Sequence, residues 1–172
     1  MRIFMEIGAL ISLELILPKR IEKRLREECE KTGVSIEELA LEALYKGLNE
    51  KIDPSDRTEV YVGLSEKYLR DAEDLLARGD FIQACEKLWG SAAVMVKAVA
   101  ASRGITISSH GELFSFVRKI GEEENDSELR RLFSVASTLH QNFYENWLHK
   151  DVIREYSEDV KQLITKLKKL IK

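Results

Sequence analysis

The sequence predicts an all-α protein: an up-and-down helical bundle preceded by a small module of one short strand and two helices. Three observations carry that expectation. Apolar residues recur at helical spacing from Pro18 almost to the C-terminus. Helix stop and start signals punctuate that pattern at short intervals. Strand-like alternation is confined to positions 10 to 17. A chain of 172 residues can hold a small and a medium domain. The expected division is a module over 1–52 and a bundle over 53–172.

In the stretch Leu10 to Leu17, Leu13, Leu15 and Leu17 fall on one face, and Ser12, Glu14 and Ile16 on the other. Pro18 ends this strand and suits the first position of a helix. That helix runs to about Thr32, with Ile21, Leu25 and Cys29 as its inner stripe. Ser35 to Glu38 is a capping box that starts a second helix, which buries Ile36, Leu39, Ala40, Ala43, Leu44 and Leu48 and ends near Glu50. Asp53-Pro54 then reads as an N-cap with proline at the first helical position. The third helix extends to Arg78, with Val62, Leu69, Ala72, Leu75 and Leu76 inward. Gly79 stops it and Asp80 caps the next, which reaches Ser102. Its run of Gly90, Ser91, Ala92 and Ala93 allows close helix approach. A shorter helix follows from about Ser109 to Ile120, then an acidic loop over 121–127. A helix capped by Asp126 or Ser127 continues to about Trp147 with Leu132, Val135, Leu139 and Phe143 inward. The last begins near Asp151.

Composition narrows the function classes. A net charge of -3 gives no global attraction to nucleic acid, so any such contact needs a local patch. No CxxC or HExxH spacing appears, so neither a metal nor another cofactor is expected. Cys29 and Cys85 read as buried free thiols of a reducing compartment, with a disulfide as the alternative. The apolar start is broken by Glu6 and Glu14 and has no small-residue cleavage site, so it is not read as a signal peptide. No segment approaches the ~20 apolar residues that span a membrane, and a cytoplasmic location is expected. Abundant Lys and Glu with sparse Asn, Gln and Met give a heat-adapted balance.

Strand, proline-led helix and capped second helix together resemble a ribbon-helix-helix unit. In such units two chains pair their strands and interlock their helices, which implies a homodimer or higher homo-oligomer. The DNA-binding members read the major groove with basic or amide side chains on the outward strand face. Here that face carries Ser12, Glu14 and Ile16, and a carboxylate near phosphates is repelled. Duplex DNA is therefore not an expected partner.

A second set of residues runs from Gly79-Asp80-Phe81 through Ala84, Trp89 and Lys97-Ala98 to Arg103-Gly104-Ile105. It continues with His110 and Leu113, and with Leu139-His140-Gln141-Asn142-Phe143-Tyr144-Glu145. These resemble a HEPN-type bundle, specifically its archaeal PaREP1 group, over about residues 56–172. The resemblance implies a bundle of four or five helices that is often dimeric. Many HEPN domains are metal-independent ribonucleases or toxin components, and others bind nucleotides or partner with nucleotidyltransferases. The ribonucleases carry an Arg-x(4-6)-His motif on the late helices. This chain has His140 there without the arginine. Its one literal match, Arg103 to His110, lies elsewhere, and His110 reads as a cap or packing residue.

The chemistry expected at the late helix centres on His140, Tyr144 and Glu145 as candidate proton carriers. His140 and Tyr144 share a face at i, i+4, and Glu145 lies at i+3 from Asn142. Asn142, Lys97 and Arg103 are the candidate ligand contacts. Such a cluster is either a closed hydrogen-bond network or the wall of a cleft. The lysines at 161, 166, 168, 169 and 172 are a solvated face or a phosphate-backbone contact. The leading expectation is a homo-oligomeric protein that binds a nucleotide or RNA without a recognisable catalytic motif. The alternatives are a metal-independent endoribonuclease and a ribbon-type DNA-binding regulator. The strand's apolar face needs a partner, so light scattering at micromolar concentration is expected to return at least a dimeric mass, and a monomeric mass would refute it.

Overall fold

The computed structural model describes residues 16–32 and 34–171. Among these described residues seven helices follow in order: α1 (Lys19–Thr32), α2 (Ile36–Leu48), α3 (Pro54–Arg78), α4 (Phe81–Ser102), α5 (His110–Glu123), α6 (Glu128–Glu145) and α7 (Lys150–Lys168). Among the described residues there is no strand, and no helix is long and apolar enough to cross a membrane. Residues 10–15 of the expected strand lie outside the described residues. Ile16 and Leu17 are described, belong to no strand and are exposed. Pro18 stands one position earlier than expected, just before α1, with its carbonyl accepting from the amides of Ile21 and Glu22 at 2.8 and 3.1 Å.

The centre of the bundle is α4. From Ser91 to Ala101 every residue but Lys97 is buried, and α3, α5, α6 and α7 all pack on it. Its small residues Ala84, Ala92, Ala98 and Ala100 are fully buried and let neighbouring backbones come close. The tightest approach is with α3. Ser65 Oγ donates to the Ser91 carbonyl at 2.8 Å, and Ser91 Oγ donates back to the Ser65 carbonyl at 2.7 Å. Gly90 completes the contact: a Cβ there would stand 3.3 Å from the Tyr68 ring.

The buried stripe of α3 is Tyr61, Ser65, Tyr68, Ala72 and Leu76. Of the five expected inward residues only Ala72 and Leu76 belong to it, and Val62, Leu69 and Leu75 flank it half-buried. The register shifts because two tyrosines and a serine, each with a polar atom, face inward and satisfy that atom there. In α6 the same shift places Leu129, Phe133 and Ala136 beside Leu132 and Leu139, with Val135 and Phe143 at the margin. Helix α5 is longer than expected, because Gly121 is buried against the following turn. Asp126 caps α6 by accepting from the Glu128 amide at 3.0 Å, while Ser127 makes no side-chain cap bond.

Helices α1 and α2 form an arm along the bundle. Ser35 and Glu38 make the expected capping box, at 3.2 and 3.0 Å. Glu38 is the buried residue of α2, whereas Leu44 and Leu48 are exposed. The arm is held by polar contacts: Glu38 to Lys97 and Tyr61, and the Tyr45 hydroxyl donating to Asp56 at 2.8 Å.

The paired serines generate a stability test. Ser65→Ala or Ser91→Ala removes one buried hydroxyl bond, a cost of about 1 kcal/mol, equivalent to a Tm drop of about 2–4 °C at this length. The double variant is expected to fall short of the sum of the singles, because the hydroxyl–hydroxyl contact at 3.1 Å is lost in either single variant and can be lost only once. Thermal melts of the three variants check this, and strict additivity would contradict it.

Candidate functional site

Along one stripe α4 leaves the core. Glu86, Gly90, Ala93 and Lys97 recur at helical spacing, and with Lys87, Trp89 and Val94 they floor a cleft of about 750 Å³. Ser108, Ser109, His110 and Leu113 line it from the start of α5, His140 and Tyr144 from α6, and Tyr68 from α3. The arm covers the remaining side with Cys29, Lys31, Val34, Ser35 and Glu38. A smaller pocket of about 280 Å³ lies by the α3–α4 turn, with Asp80 and Lys150 as its charged lining. It brings no cluster of titratable groups together.

At one end of the large cleft stands an aromatic cluster. The His140 ring stacks on the buried Trp89 indole, centroids 5.0 Å apart and planes 23° apart. His110 meets Trp89 edge-on at 5.5 Å and meets His140 edge-on at the same distance. Tyr144 sets its edge against His140 at 5.3 Å and is 72% exposed. His140 Nδ1 lies 2.8 Å from Glu86 Oε2. A carboxylate accepts, so Nδ1 carries the proton and donates it. In the neutral ring Nε2 then presents a lone pair. Among the described residues, Nε2 has no hydrogen-bond partner.

At the other end is a buried ion pair. Lys97 Nζ donates to both Glu38 oxygens at 2.9 and 3.1 Å, and Tyr61 donates its hydroxyl to Oε1 at 2.9 Å. The two charged side chains keep only 11% and 7% exposure. Burial raises the Glu38 carboxyl, but Lys97, the Ser35 amide and the Tyr61 hydroxyl outweigh it and hold it below its ordinary value. Burial first, then the Glu38 charge, pushes the Tyr61 hydroxyl well up. Burial and then Glu37 do the same to Tyr68, over whose ring Lys87 Nζ sits at 4.8 Å.

The structure brings three of the expected site residues to this cleft: His140, Tyr144 and Lys97. Asn142 is corrected to a core residue. It is fully buried, its Oδ1 accepts from the amides of Trp147 and Leu148 at 2.8 and 2.7 Å, and its Nδ2 faces Cys85 Sγ at 3.4 Å. Glu145 is exposed outside the cleft lining. Arg103 follows α4 and pairs with Glu123 at 2.6 Å, its Nε buried without a partner. Of the lysine row, Lys161, Lys166 and Lys168 pair with Glu73, Asp126 and Glu66, Lys169 is exposed, and Lys172 lies outside the described residues.

His110, Glu86 and Trp89 were not expected at the site. The cap of α5 is Ser109, and His110 turns its ring to the other aromatics instead. The sequence signal for His110 was the stray Arg-to-His match. For Glu86 and Trp89 there was only their spacing on one helix. Burial raises both thiols, Cys29 at the cleft and Cys85 in the core, and both are free. Neither is set up as a nucleophile. Among the described residues, no group of three His, Cys, Asp or Glu is placed to hold a metal ion.

The profile of the archaeal PaREP1/PaREP8 family matches residues 60–164, the stretch that builds the bundle side of the cleft. A crystal structure of a Sulfolobus solfataricus protein is similar, with a TM-score of 0.56 and 26% identity. The match covers 63% of this chain and 97% of that one. No curated protein matches the chain.

Glu38 gives the site a pH response with a defined sign. Its folded carboxyl titrates below the ordinary value of 4.5. Its stabilisation of the arm is therefore complete above that value and is lost as the pH falls beneath it. Protection of the α2 amides, taken relative to their intrinsic exchange rate at each pH, is expected to stay constant from neutral pH to about 5 and to fall below about 4. In Glu38→Gln that protection is expected to be low at every pH. An acid response unchanged by that substitution would assign it to another group.

Proposed function

The chain belongs to the archaeal PaREP1/PaREP8 family, and from that premise we propose that it is a homo-oligomeric HEPN-like protein whose cleft binds a nucleotide or a short stretch of RNA. One observation carries the reading: α4 lines a single cleft with an aromatic cluster at one end and ammonium groups along its length. Tyr144 and His140 offer ring faces and edges to a base. Lys87 and Lys97 suit phosphates. Glu86 and Lys97 are eleven residues apart, so the cleft extends about 16 Å along the helix, enough for one or two nucleotides. Two copies in a dimer would present two such clefts.

A second reading has its own support. His140 and His110 stand close together, and Glu86 orients His140 with its Nε2 free. That arrangement suits metal-independent RNA cleavage. His140 Nε2 takes the 2'-hydroxyl proton, the 2'-oxygen attacks phosphorus, and protonated His110 gives a proton to the departing 5'-oxygen. The products are a 2',3'-cyclic phosphate and a 5'-hydroxyl.

Fluorescence titration of the full chain with AMP and a ten-nucleotide RNA tests binding. Tyr144→Ala and His140→Ala are expected to weaken binding at least about fivefold each, with Tm within about 2 °C of the parent. No binding of either probe refutes the reading. A melting loss of several degrees with unchanged binding makes the cluster a packing network instead. Cleavage is tested on the same RNA in excess chelator. If it occurs, His110→Ala and His140→Ala should each slow it about 100-fold or more. Intact RNA leaves the binding reading alone.

A further inference from the structure

We propose that Glu38 is a built-in competitor for the ligand's phosphate: the arm's carboxylate occupies the anion site that Lys97 and Tyr61 form on the bundle. This rests on the cleft being the nucleotide or RNA site and names how access to it is controlled.

The groups divide by origin. The ammonium of Lys97 comes from α4 and the Tyr61 hydroxyl from α3, so both donors belong to the bundle. The acceptor they share, Glu38, belongs to the arm. The donors point at one small volume at the edge of the cleft. A carboxylate fills it now, and a phosphate oxygen pair has the same charge sign and the same acceptor geometry. Lys97 is too buried to be left without an anion at low cost. When Glu38 leaves, the favourable outcome is replacement by another anion, and the cleft is where one arrives.

The arm is built to exchange. Its other polar links to the bundle include Tyr45 to Asp56 and the Glu37 and Ser35 side chains to the Tyr68 hydroxyl. Among the arm's described side chains Glu38 alone is buried, while Leu44 and Leu48 lie in the open. Its apolar residues Ile36, Leu39 and Leu41 are half-buried and none of them is fully covered, so α2 has no closed apolar core of its own to break when it lifts. Because both anions cannot hold Lys97 together, arm docking and phosphate binding oppose each other, and each weakens the other by the same factor. A base alone enters at the aromatic end and does not meet this contest.

The experiment compares AMP with adenosine on the full chain, by titration calorimetry, for the parent, Glu38→Gln, Glu38→Asp and Lys97→Met. Glu38→Gln is expected to bind AMP about tenfold more tightly than the parent, with adenosine unchanged. Glu38→Asp keeps the charge at shorter reach and falls between. Lys97→Met should lose most of the preference for AMP over adenosine. In the parent, saturating AMP should speed hydrogen exchange in α2 and adenosine should not. If Glu38→Gln binds AMP no better than the parent, while the parent binds AMP or the ten-nucleotide RNA, the competition is refuted and the cleft reading stands. If no chain binds AMP, adenosine or RNA, both fall. Should Glu38→Gln lose the bundle's helical melt, Glu38→Asp and the parent's exchange response decide alone.

Discussion

The burial of α4 is the constraint on which the rest depends. A helix packed on by four others has no solvent face along most of its length, so it cannot be amphipathic in the usual way. Alanines and Ser91 at its contacts keep the neighbouring helices close, and the serine pair satisfies the polar atoms that such closeness buries. Charged and large polar side chains have room only where α4 leaves the core. Glu86, Lys87, Trp89 and Lys97 occupy that strip, and the cleft forms over them. The site is thus a consequence of how the core closes around one helix.

Helix limits were legible because they are set locally. Asp53-Pro54, Gly79-Asp80 and Ser35 with Glu38 act within one turn, and the structure realises each. The inner face of α3 was not legible by the same means. Counting aliphatic residues selects Val62, Leu69 and Leu75, but burial follows Tyr61, Ser65 and Tyr68. Whether a tyrosine or serine can be buried depends on a partner for its polar atom. Those partners, Glu38 and Ser91, lie 23 and 26 residues away. Periodicity within a helix carries no information about them.

The site divides along the same line. His140 and Tyr144 are one turn apart, so their shared face follows from helix geometry alone. That geometry also bears on Asn142: two residues from His140 is about 200° around the helix, the opposite side, where the core lies. Glu145 is likewise turned about 140° away. Residue type had grouped the four, while rotation separates them. His110, Glu86 and Trp89 come from other helices, and only the tertiary fold joins them to His140.

Glu38 shows how a local signal can carry a distant role. In sequence it is the last residue of a capping box, and its carboxylate does accept from the Ser35 amide. A capping carboxylate on the surface would end its work there. This one is also turned into the bundle, where Lys97 and Tyr61 converge on it. Its lone pairs are shared between holding a helix start and neutralising a buried ammonium. A buried charge pair adds little net stability compared with apolar packing, yet losing one partner is costly. Such a contact therefore fixes position and demands an anion at Lys97 more than it strengthens the fold. The demand is for negative charge at that point, whichever molecule supplies it.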